Sequence, residues 1–350
     1  MNLSLAELEQ IRLILRGGSV VDWFRLQHDT LDDVRAFLRL QAADLDDPED
    51  LARLVELRAT AARYLVDEHG YKLPPELLAC PPAEVFLYAS EKRGRRRDRF
   101  FSCLLLKVMH IVHHIEAREL RFRLPLSQSR LAQLLVDRVD AFEAGLRAEG
   151  FPLVHYVGGE KSRTSLITKL LVKKEHHAAT IHDRVRFRFV VERSLDVLSL
   201  MSRMTGRLFP YNYVAPGQTV NLLVNFTALI ESHPTYRKLA DELQLELGHE
   251  EQSLRHVNEF SGPSYRVVSF IVDVPIRVPD EVLAGTKDRE GLGRVIFGLA
   301  ELQLVDKDSD AENERGENRH DHYRSRQLVK VRDRLERGTR GTARDEDDRG

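Results

Sequence analysis

At 350 residues, the chain is long enough for about two domains of ordinary size. Its composition, with 42% apolar and 31% charged residues, is that of an ordinary globular protein. The formal net charge of −2 excludes a generally basic surface, so a site for phosphate or nucleic acid must be a local patch. Two cysteines argue against a disulfide framework and favour a reducing cytoplasm. The first residues have a charged helical pattern, and no apolar run approaches the ~20 residues that span a bilayer, so no membrane segment is expected.

The N-terminal third is predicted to be helical. Residues 3–70 have the apolar periodicity of about three amphipathic helices, and Asp29 or Thr30 is expected to cap the one that begins at Leu31. Four prolines between residues 72 and 84 mark a connector, and a long apolar-rich helix follows from Phe100 to Glu119. These features predict an all-helical domain over residues 1–125.

Two features of this helical region are candidate binding sites. The basic cluster Lys92–Arg99 is expected either to contact RNA phosphates or to be a solvated loop. On the long helix, His110, His113 and His114 lie near Glu116 with the i, i+4 spacing of metal ligands. Because no further ligand follows at a recognisable spacing, ordinary helix histidines are the alternative to a zinc site.

The rest of the chain mixes strand and helix patterns. Residues 126–330 are predicted to form one domain, and residues 331–350, which have almost no apolar side chains, are predicted to be a disordered tail. The fold class predicted for the chain is therefore α+β: a mixed sheet flanked by helices, preceded by the all-α domain.

The stretch from Lys161 to Arg188 carries a basic pattern on two kinds of element. Lys161, Ser165 and Lys169 are spaced i, i+4, i+8, so a helix would stack them along one face. After Asp183 the pattern alternates as in a strand, with arginines at 184, 186 and 188 on one face and apolar residues on the other. Such a pattern suits a polyphosphate and its metal ion, and the alternative is that both faces are simply solvated.

Four short motifs follow one another in this second half of the chain. They read Ser165-x-x-x-Lys169, Asp183-x-x-x-x-Arg188, Glu301-x-Gln303-Leu304 and Glu314-x-Gly316-x-x-x-His320. The ordered set resembles the synthetase domain of the RelA/SpoT family, which has a nucleotidyltransferase-like fold. That family moves pyrophosphate from ATP to the 3′-hydroxyl of a guanosine nucleotide.

The resemblance implies a role for each matched residue. Asp183 and Glu301 would hold Mg²⁺, and Glu301 would also act on the attacking hydroxyl as a base or orienting group. The remaining implied contacts are with the ATP phosphates, from Lys161, Ser165, Lys169, Arg186 and Arg188, and with the acceptor, from Tyr265, Arg266, Gln303 and His320.

The residues around Glu301 support a functional role independently. Glu301 interrupts a nearly continuous apolar strand from Val295 to Val305, where an unpaired carboxylate would cost several kcal/mol. The alternative is an edge strand with Glu301 in water. A competing carboxylate is Asp273, which shares one face of another predicted strand with Tyr265 and Ser269 and is the alternative metal ligand.

Three functions follow from these observations. The first, implied by the resemblance, is Mg²⁺-dependent pyrophosphate transfer from ATP to a nucleotide or to the 3′ end of an RNA such as tRNA. The second is a catalytically weakened protein of the same fold that binds nucleotide or RNA, because Ser269 stands where the family has histidine. The third is an interaction protein whose basic faces are solvated.

Overall fold

A computed structural model describes residues 3–18, 21, 26, 28–90, 95–172, 185–232, 234, 236–237, 265–287, 289, 291–315 and 320–336. For residues 169, 227, 229 and 320–326 it describes the backbone only. The described chain divides into two compact units, each built from separate segments. The first unit comprises residues 1–145, 198–218 and 272–298, and the second comprises residues 146–197, 219–271 and 299–350.

The described N-terminal region is helical, as predicted. Its helices are α1 (Leu5–Leu15), α2 (Leu31–Leu40), α3 (Pro48–Asp67), α4 (Pro75–Ala79), α5 (Glu84–Ala89), α6 (Arg96–Arg123) and α7 (Gln128–Ala148). Of the two predicted caps for α2, Thr30 is the one used: its side chain accepts a hydrogen bond from the backbone N–H of Asp33. Fully buried leucine and isoleucine side chains of α1 and α2, such as Leu8, Ile11 and Leu38, contribute to the core of the first unit.

Strands and helices alternate through the rest of the chain. They are β1 (Leu153–Glu160), α8 (Arg163–Val172), β2 (Val185–Val191), α9 (Ser194–Arg207), β3 (Val220–Asn221), α10 (Phe226–Ser232), β4 (Val268–Arg277), α11 (Asp280–Ala284), β5 (Val295–Asp306), α12 (Lys307–Asn313) and α13 (His320–Glu336). The five strands form one sheet in the order β1-β2-β5-β4-β3.

The sheet is mixed, because β1 pairs with β2 antiparallel, β2 with β5 parallel, and β3 with β4 antiparallel. On one face of β2 and β5, fully buried side chains such as Phe187, Phe189, Leu302 and Leu304 form the core of the second unit. Arg186 and Arg188 alternate with these phenylalanines, as predicted from the sequence. The predicted α+β class, with a mixed sheet and a helical N-terminal region, is confirmed.

The predicted domain boundaries stay a prediction. The two compact units combine separate segments of the chain, so they do not test a boundary between continuous domains. One detail of the predicted tail differs from the structure: α13 continues to Glu336, so residues 331–336 are helical. Residues 337–350 lie outside the described residues.

One described helix, α6, is long and apolar enough to cross a membrane by length and composition alone. A third of the apolar window in this helix is buried inside the protein, and the core helix of a globular protein passes the same test.

Gly158 occupies a position in β1 where no side chain fits. A Cβ atom at this position would lie 2.3 Å from Cδ1 of Phe187, the paired residue on β2. We therefore expect Gly158→Ala to lower the free energy of unfolding by about 1–3 kcal/mol. The control is Gly145→Ala in α7, where a Cβ atom meets nothing within 4 Å and helix propensity should rise. Urea denaturation of both variants measures the difference, and equal stabilities would contradict the clash.

His28 is buried against the rings of Phe37 and Phe86, with its Nε2 atom lacking a hydrogen-bond partner. Burial lowers the pKa of His28 to about 4, although Asp33 and Asp29 oppose the shift. The folded protein therefore holds this imidazole neutral, and unfolding takes up a proton below the ordinary pKa of 6.5. The contribution of the neutral His28 side chain to the free energy of unfolding is complete above pH 6.5 and is lost as the pH falls towards 4.

We expect His28 to cost the folded state about 2 kcal/mol on going from pH 7.5 to pH 5, at ~1.4 kcal/mol per pH unit. His28→Phe removes the titrating group and fits the aromatic neighbours, so its unfolding free energy should depend on pH correspondingly less. Urea titrations of both proteins at the two pH values test this. Identical pH dependence in the two proteins would exclude His28 as a contributor.

Candidate functional site

The centre of the candidate site is Glu301 on β5. Because β5 lies between β2 and β4, it is an interior strand, and the alternative that placed Glu301 at a sheet edge is wrong. The Glu301 side chain is only 13% exposed. Burying a carboxylate is costly unless polar groups contact it. Such groups come here from three other segments of the second unit and from the same strand as Glu301.

Two cations approach the same oxygen of this carboxylate. Lys161 donates from Nζ to Oε2 of Glu301 at 3.0 Å, and Nε of Arg186 lies 3.3 Å from the same oxygen. The Arg186 contact is an ion pair without hydrogen-bond geometry, since that buried Nε has no hydrogen-bond partner. Arg186 and Glu301 are direct partners in the parallel pairing of β2 and β5, so the strand register creates this ion pair.

The other oxygen, Oε1, accepts two neutral hydrogen bonds. Gln303 donates from Nε2 at 2.7 Å, and Ser269 on β4 donates from its hydroxyl at 3.3 Å. Glu301 and Gln303 are two residues apart on one strand and therefore share a face of the sheet. The carboxylate is thus held in one orientation by four side chains that come from the loop before α8 and from three strands.

Arg188 continues this polar face beside Gln303, its partner in the β2–β5 register. Asp310 on α12 accepts hydrogen bonds from Nε and Nη2 of Arg188 at 3.0 and 2.5 Å. Nη1 points to Tyr265 Oη and Gln303 Oε1, each at 3.4 Å. Burial opposes the charge of Arg188, but Tyr265 and Asp310 outweigh it and raise the pKa of the guanidinium, which is therefore always protonated.

The charged groups that the described residues contribute to these ion pairs do not cancel. Lys161, Arg186 and Arg188 contribute three positive charges, and Glu301 and Asp310 contribute two negative ones, which leaves one net positive charge (three minus two). A half-buried cluster with excess positive charge favours an anionic ligand, and the guanidinium groups suit phosphate oxygens.

Asp310 was not identified from the sequence, although it fixes Arg188. It stands in the first turn of α12, which Asp306 caps by accepting from the backbone N–H of Ser309. Asp306 is itself buried and accepts a hydrogen bond from Ser194, which anchors the start of the helix. The signal in the sequence was the acidic run that follows the last strand, but its contact with Arg188 depends on the fold.

Other predicted site residues lie less centrally. Lys161 precedes α8, which begins at Arg163, so the predicted stack of Lys161 on one helical face with Ser165 and Lys169 is wrong. Ser165 is exposed in the first turn of α8, where its hydroxyl lies 2.9 Å from that of Ser162. The Arg266 side chain is exposed, while its backbone exchanges two hydrogen bonds with the buried amide of Asn313.

Some predicted residues fall beyond what the structure describes. Asp183 lies outside the described residues, and so does the Lys92–Gly94 part of the basic cluster. Lys169 belongs to α8 and His320 begins α13, but their side chains are not among those described. The roles predicted for these residues therefore stay predictions.

Asp273, the alternative metal ligand, belongs to the first unit. Its Oδ2 lies 3.5 Å from Nδ1 of His114, whose ring stacks on Phe297 at 4.3 Å between centroids. His110 and His113 lie in the same aromatic cluster, and burial lowers the pKa of both rings. Among the described residues, no three His, Cys, Asp or Glu side chains are grouped so that they could hold a metal ion. These three residues pack as helix histidines, and the zinc site stays a hypothesis.

The first unit also contains a cavity of about 790 Å³, lined by charged side chains of α3 and of the segment before β5. Its acidic and basic groups neutralise each other, because Glu49 pairs with Arg289 at 3.1 Å and Arg53 pairs with Glu56 at 2.7 Å. The cavity therefore has none of the excess positive charge that distinguishes the cluster around Glu301.

Comparison with known proteins gives matches among solved structures alone. No family model matches the chain, and no curated protein matches it. Small alarmone synthetase 2 from Bacillus subtilis is 14% identical, with 63% of this chain and 98% of that chain covered and a TM-score of 0.31. Small alarmone synthetase 1 from the same organism, bound to its product pppGpp, is 12% identical, with 67% and 96% covered and a TM-score of 0.30.

A third structure that matches is smu.1046c from Streptococcus mutans UA159, at 14% identity with 62% and 94% covered and a TM-score of 0.29. The two Bacillus proteins are small alarmone synthetases. At these identities and scores no residue role is transferred from them, and the chemistry of the site is argued from the contacts of this chain.

Proposed function

We propose that this protein transfers pyrophosphate from ATP to the 3′-hydroxyl of a nucleotide or of an RNA end such as tRNA. The observation that carries the proposal is the convergence of Lys161 and Arg186 on the Glu301 carboxylate in an interior strand, with Arg188 beside them. A base surrounded by phosphate-binding cations is the arrangement that such a transfer requires. The order of the four sequence motifs supports the same reaction.

In the proposed reaction, the acceptor 3′-oxygen attacks the β-phosphorus of ATP. The bond from that phosphorus to the oxygen bridging the α- and β-phosphates breaks, and AMP leaves with the electron pair. The hydroxyl proton passes to Glu301. Lys161, Arg186 and Arg188 neutralise the charge on the β- and γ-phosphates, and each must exchange part of its carboxylate contact for phosphate oxygens.

Magnesium fits the donor chemistry of this site in part. Mg²⁺ is usually held by one or two carboxylates together with substrate phosphates, and Glu301 supplies one carboxylate among the described residues. Asp183 is the predicted second carboxylate. When bound, the ion would supply further neutralisation of the phosphate charge.

The test is incubation of the full chain with Mg²⁺ and ATP labelled at either the β- or the γ-phosphate, together with GTP, GDP or bulk tRNA. Pyrophosphate transfer places both labels on one acceptor and releases AMP in equal amount. Transfer of the γ-label alone would identify a simple kinase and contradict the proposal, as would the absence of label on every acceptor while ATP remains intact and unbound.

A second candidate is a binding protein without transfer activity. It is favoured by the complete engagement of Glu301, which Lys161, Gln303 and Ser269 all contact by hydrogen bonds. Calorimetry with a non-hydrolysable ATP analogue separates the two candidates: binding without any transferred label in the assay above would establish the second.

A further inference from the structure

The long helix α6 is apolar on two opposite faces. One face carries buried residues such as Leu105, Met109, Ala117 and Leu120, and the helix packs against α3 and α5. At 100° per residue, these positions cluster around one direction of the helical wheel. A second apolar stripe points roughly 150° away from them.

The second stripe has the heptad spacing of a coiled-coil seam. Its a and d positions alternate by three and four residues over the length of the helix and are Phe101, Leu104, Val108, Ile111, Ile115, Arg118 and Phe122. All are apolar except Arg118. A helix shows this repeat when its seam packs knobs-into-holes against a second helix.

Along the C-terminal half of this stripe, large side chains are exposed. Ile111 is 41%, Ile115 61% and Phe122 79% exposed, and Phe100 at the other end is 50% exposed. Phe100 neighbours the first position of the stripe, and the half-buried Leu104 and Val108 lie between it and Ile111. The exposed apolar surface along the helix is on the order of 500 Å², at the upper end of what a monomer tolerates. Two such patches facing each other would bury on the order of 1,000 Å², which reaches the lower limit for a specific interface.

We propose that the α6 stripe is a homodimerisation surface on which α6 of a second copy packs antiparallel. A second copy is the occupant that this surface fits, because it brings the same heptad repeat and a patch of the same area. The orientation follows from Arg118. A parallel pair would place the two Arg118 side chains opposite each other in one layer of the seam, which is repulsive.

An antiparallel pair centred between Ile111 and Ile115 instead places the two Arg118 side chains about 15 Å apart along the helix axis, at 1.5 Å rise per residue. A membrane is a poorer occupant although α6 is long enough to span one. The opposite face of α6 carries buried His110 and other side chains that pack inside the protein, and that packing would be lost if the helix were surrounded by lipid.

The experiment is sedimentation velocity of the full chain from about 1 to about 100 µM, because an interface at the small end of the specific range is expected to associate weakly. We expect wild type to form a dimer and Ile115→Glu to weaken dimerisation by about 100-fold, because each dimer would bury two carboxylates. Leu31→Glu introduces the same charge at an exposed leucine of α2 (46% exposed), outside the stripe, and should dimerise like wild type.

Arg118→Leu should strengthen dimerisation, a result that a misfolded variant would not give. It completes the apolar seam, so its dimer should be about 10-fold tighter than that of wild type. A wild type that stays monomeric at the highest concentration, or a dimer that Ile115→Glu and Arg118→Leu leave unchanged, would overturn the proposal. So would a monomer that co-sediments with phosphatidylglycerol vesicles, since that result would assign the stripe to a lipid surface.

Discussion

Glu301→Gln is expected to lower the rate of pyrophosphate transfer at least about 1,000-fold while the protein stays folded. An amide keeps the shape of the side chain but cannot accept the hydroxyl proton, and general base catalysis typically contributes 10²–10⁴-fold. The variant also releases Lys161 and Arg186 from their negative partner. We therefore expect its affinity for an ATP analogue, measured without Mg²⁺, to be unchanged or higher, so that the loss appears in kcat rather than in phosphate binding.

The matched control is Glu192→Gln in the same unit. Glu192 forms an ion pair with Lys307 at 2.9 Å, but both side chains are about half exposed. Removal of that carboxylate should leave transfer unchanged and cost little stability. Transfer of label from ATP measures the activity of both variants, and circular dichroism measures whether each is folded. Transfer by Glu301→Gln at the wild-type rate would remove Glu301 from the mechanism.

The strands of the site could be predicted from the sequence because their period is simple. The alternation of Arg186 and Arg188 with Phe187 and Phe189 predicted which side chains share a face of β2, and the structure confirms it. The apolar run around Glu301 likewise predicted a strand whose carboxylate needs partners. Local patterns of this kind are decided within a few residues and are therefore readable without the fold.

The partners themselves could not be predicted in the same way. Lys161 was assigned to a helix because its spacing to Ser165 fits one, but Ser162 accepts from the backbone N–H of Ser165, in the first turn of a helix that begins only at Arg163. Asp310 is far from Arg188 in sequence, and their ion pair exists because α12 follows β5 directly and turns back over the sheet. Neither the start of α8 after Lys161 nor the ion pair of Arg188 with Asp310 produces a periodic pattern in the sequence.

The same limit applies to the organisation of the chain. A boundary at residue 125 follows from the change in pattern along the sequence, whereas the compact units combine segments such as 1–145 and 272–298. Which segments combine is decided by long-range contacts. The heptad repeat of α6 differs, because it is visible in the sequence. It indicates an unoccupied apolar surface only once the other face of the helix is known to be buried.

The contact between Arg188 and Asp310 yields the second large effect that we expect. Asp310 occupies the Nε and Nη2 edge of the guanidinium, and its charge partly compensates the buried cation. If this ion pair orients Arg188 towards a phosphate, then Asp310→Asn should weaken binding of an ATP analogue about 10-fold. Loss of a charged hydrogen bond to a positioned group is typically worth ~1.5 kcal/mol or more.

Asp308→Asn is the control for this prediction. Asp308 is exposed on the same helix, α12, so the variant changes the net charge by the same amount without touching the ion pair. We expect its affinity for the analogue to equal that of wild type. Calorimetric titration of all three proteins at two salt concentrations separates a local effect from general charge screening, because the local loss should persist at high salt.

The direction of the change distinguishes two roles for Asp310. Weaker binding by Asp310→Asn, with Asp308→Asn unaffected, means that the carboxylate holds Arg188 in the orientation that phosphate requires. Tighter binding would mean that Asp310 competes with phosphate for the same guanidinium, because removing it would then add one uncompensated cation to the cluster. Equal affinity in all three proteins would exclude Arg188 from the phosphate site altogether, and the transfer reaction would then depend on Lys161 and Arg186 alone among the described cations around Glu301.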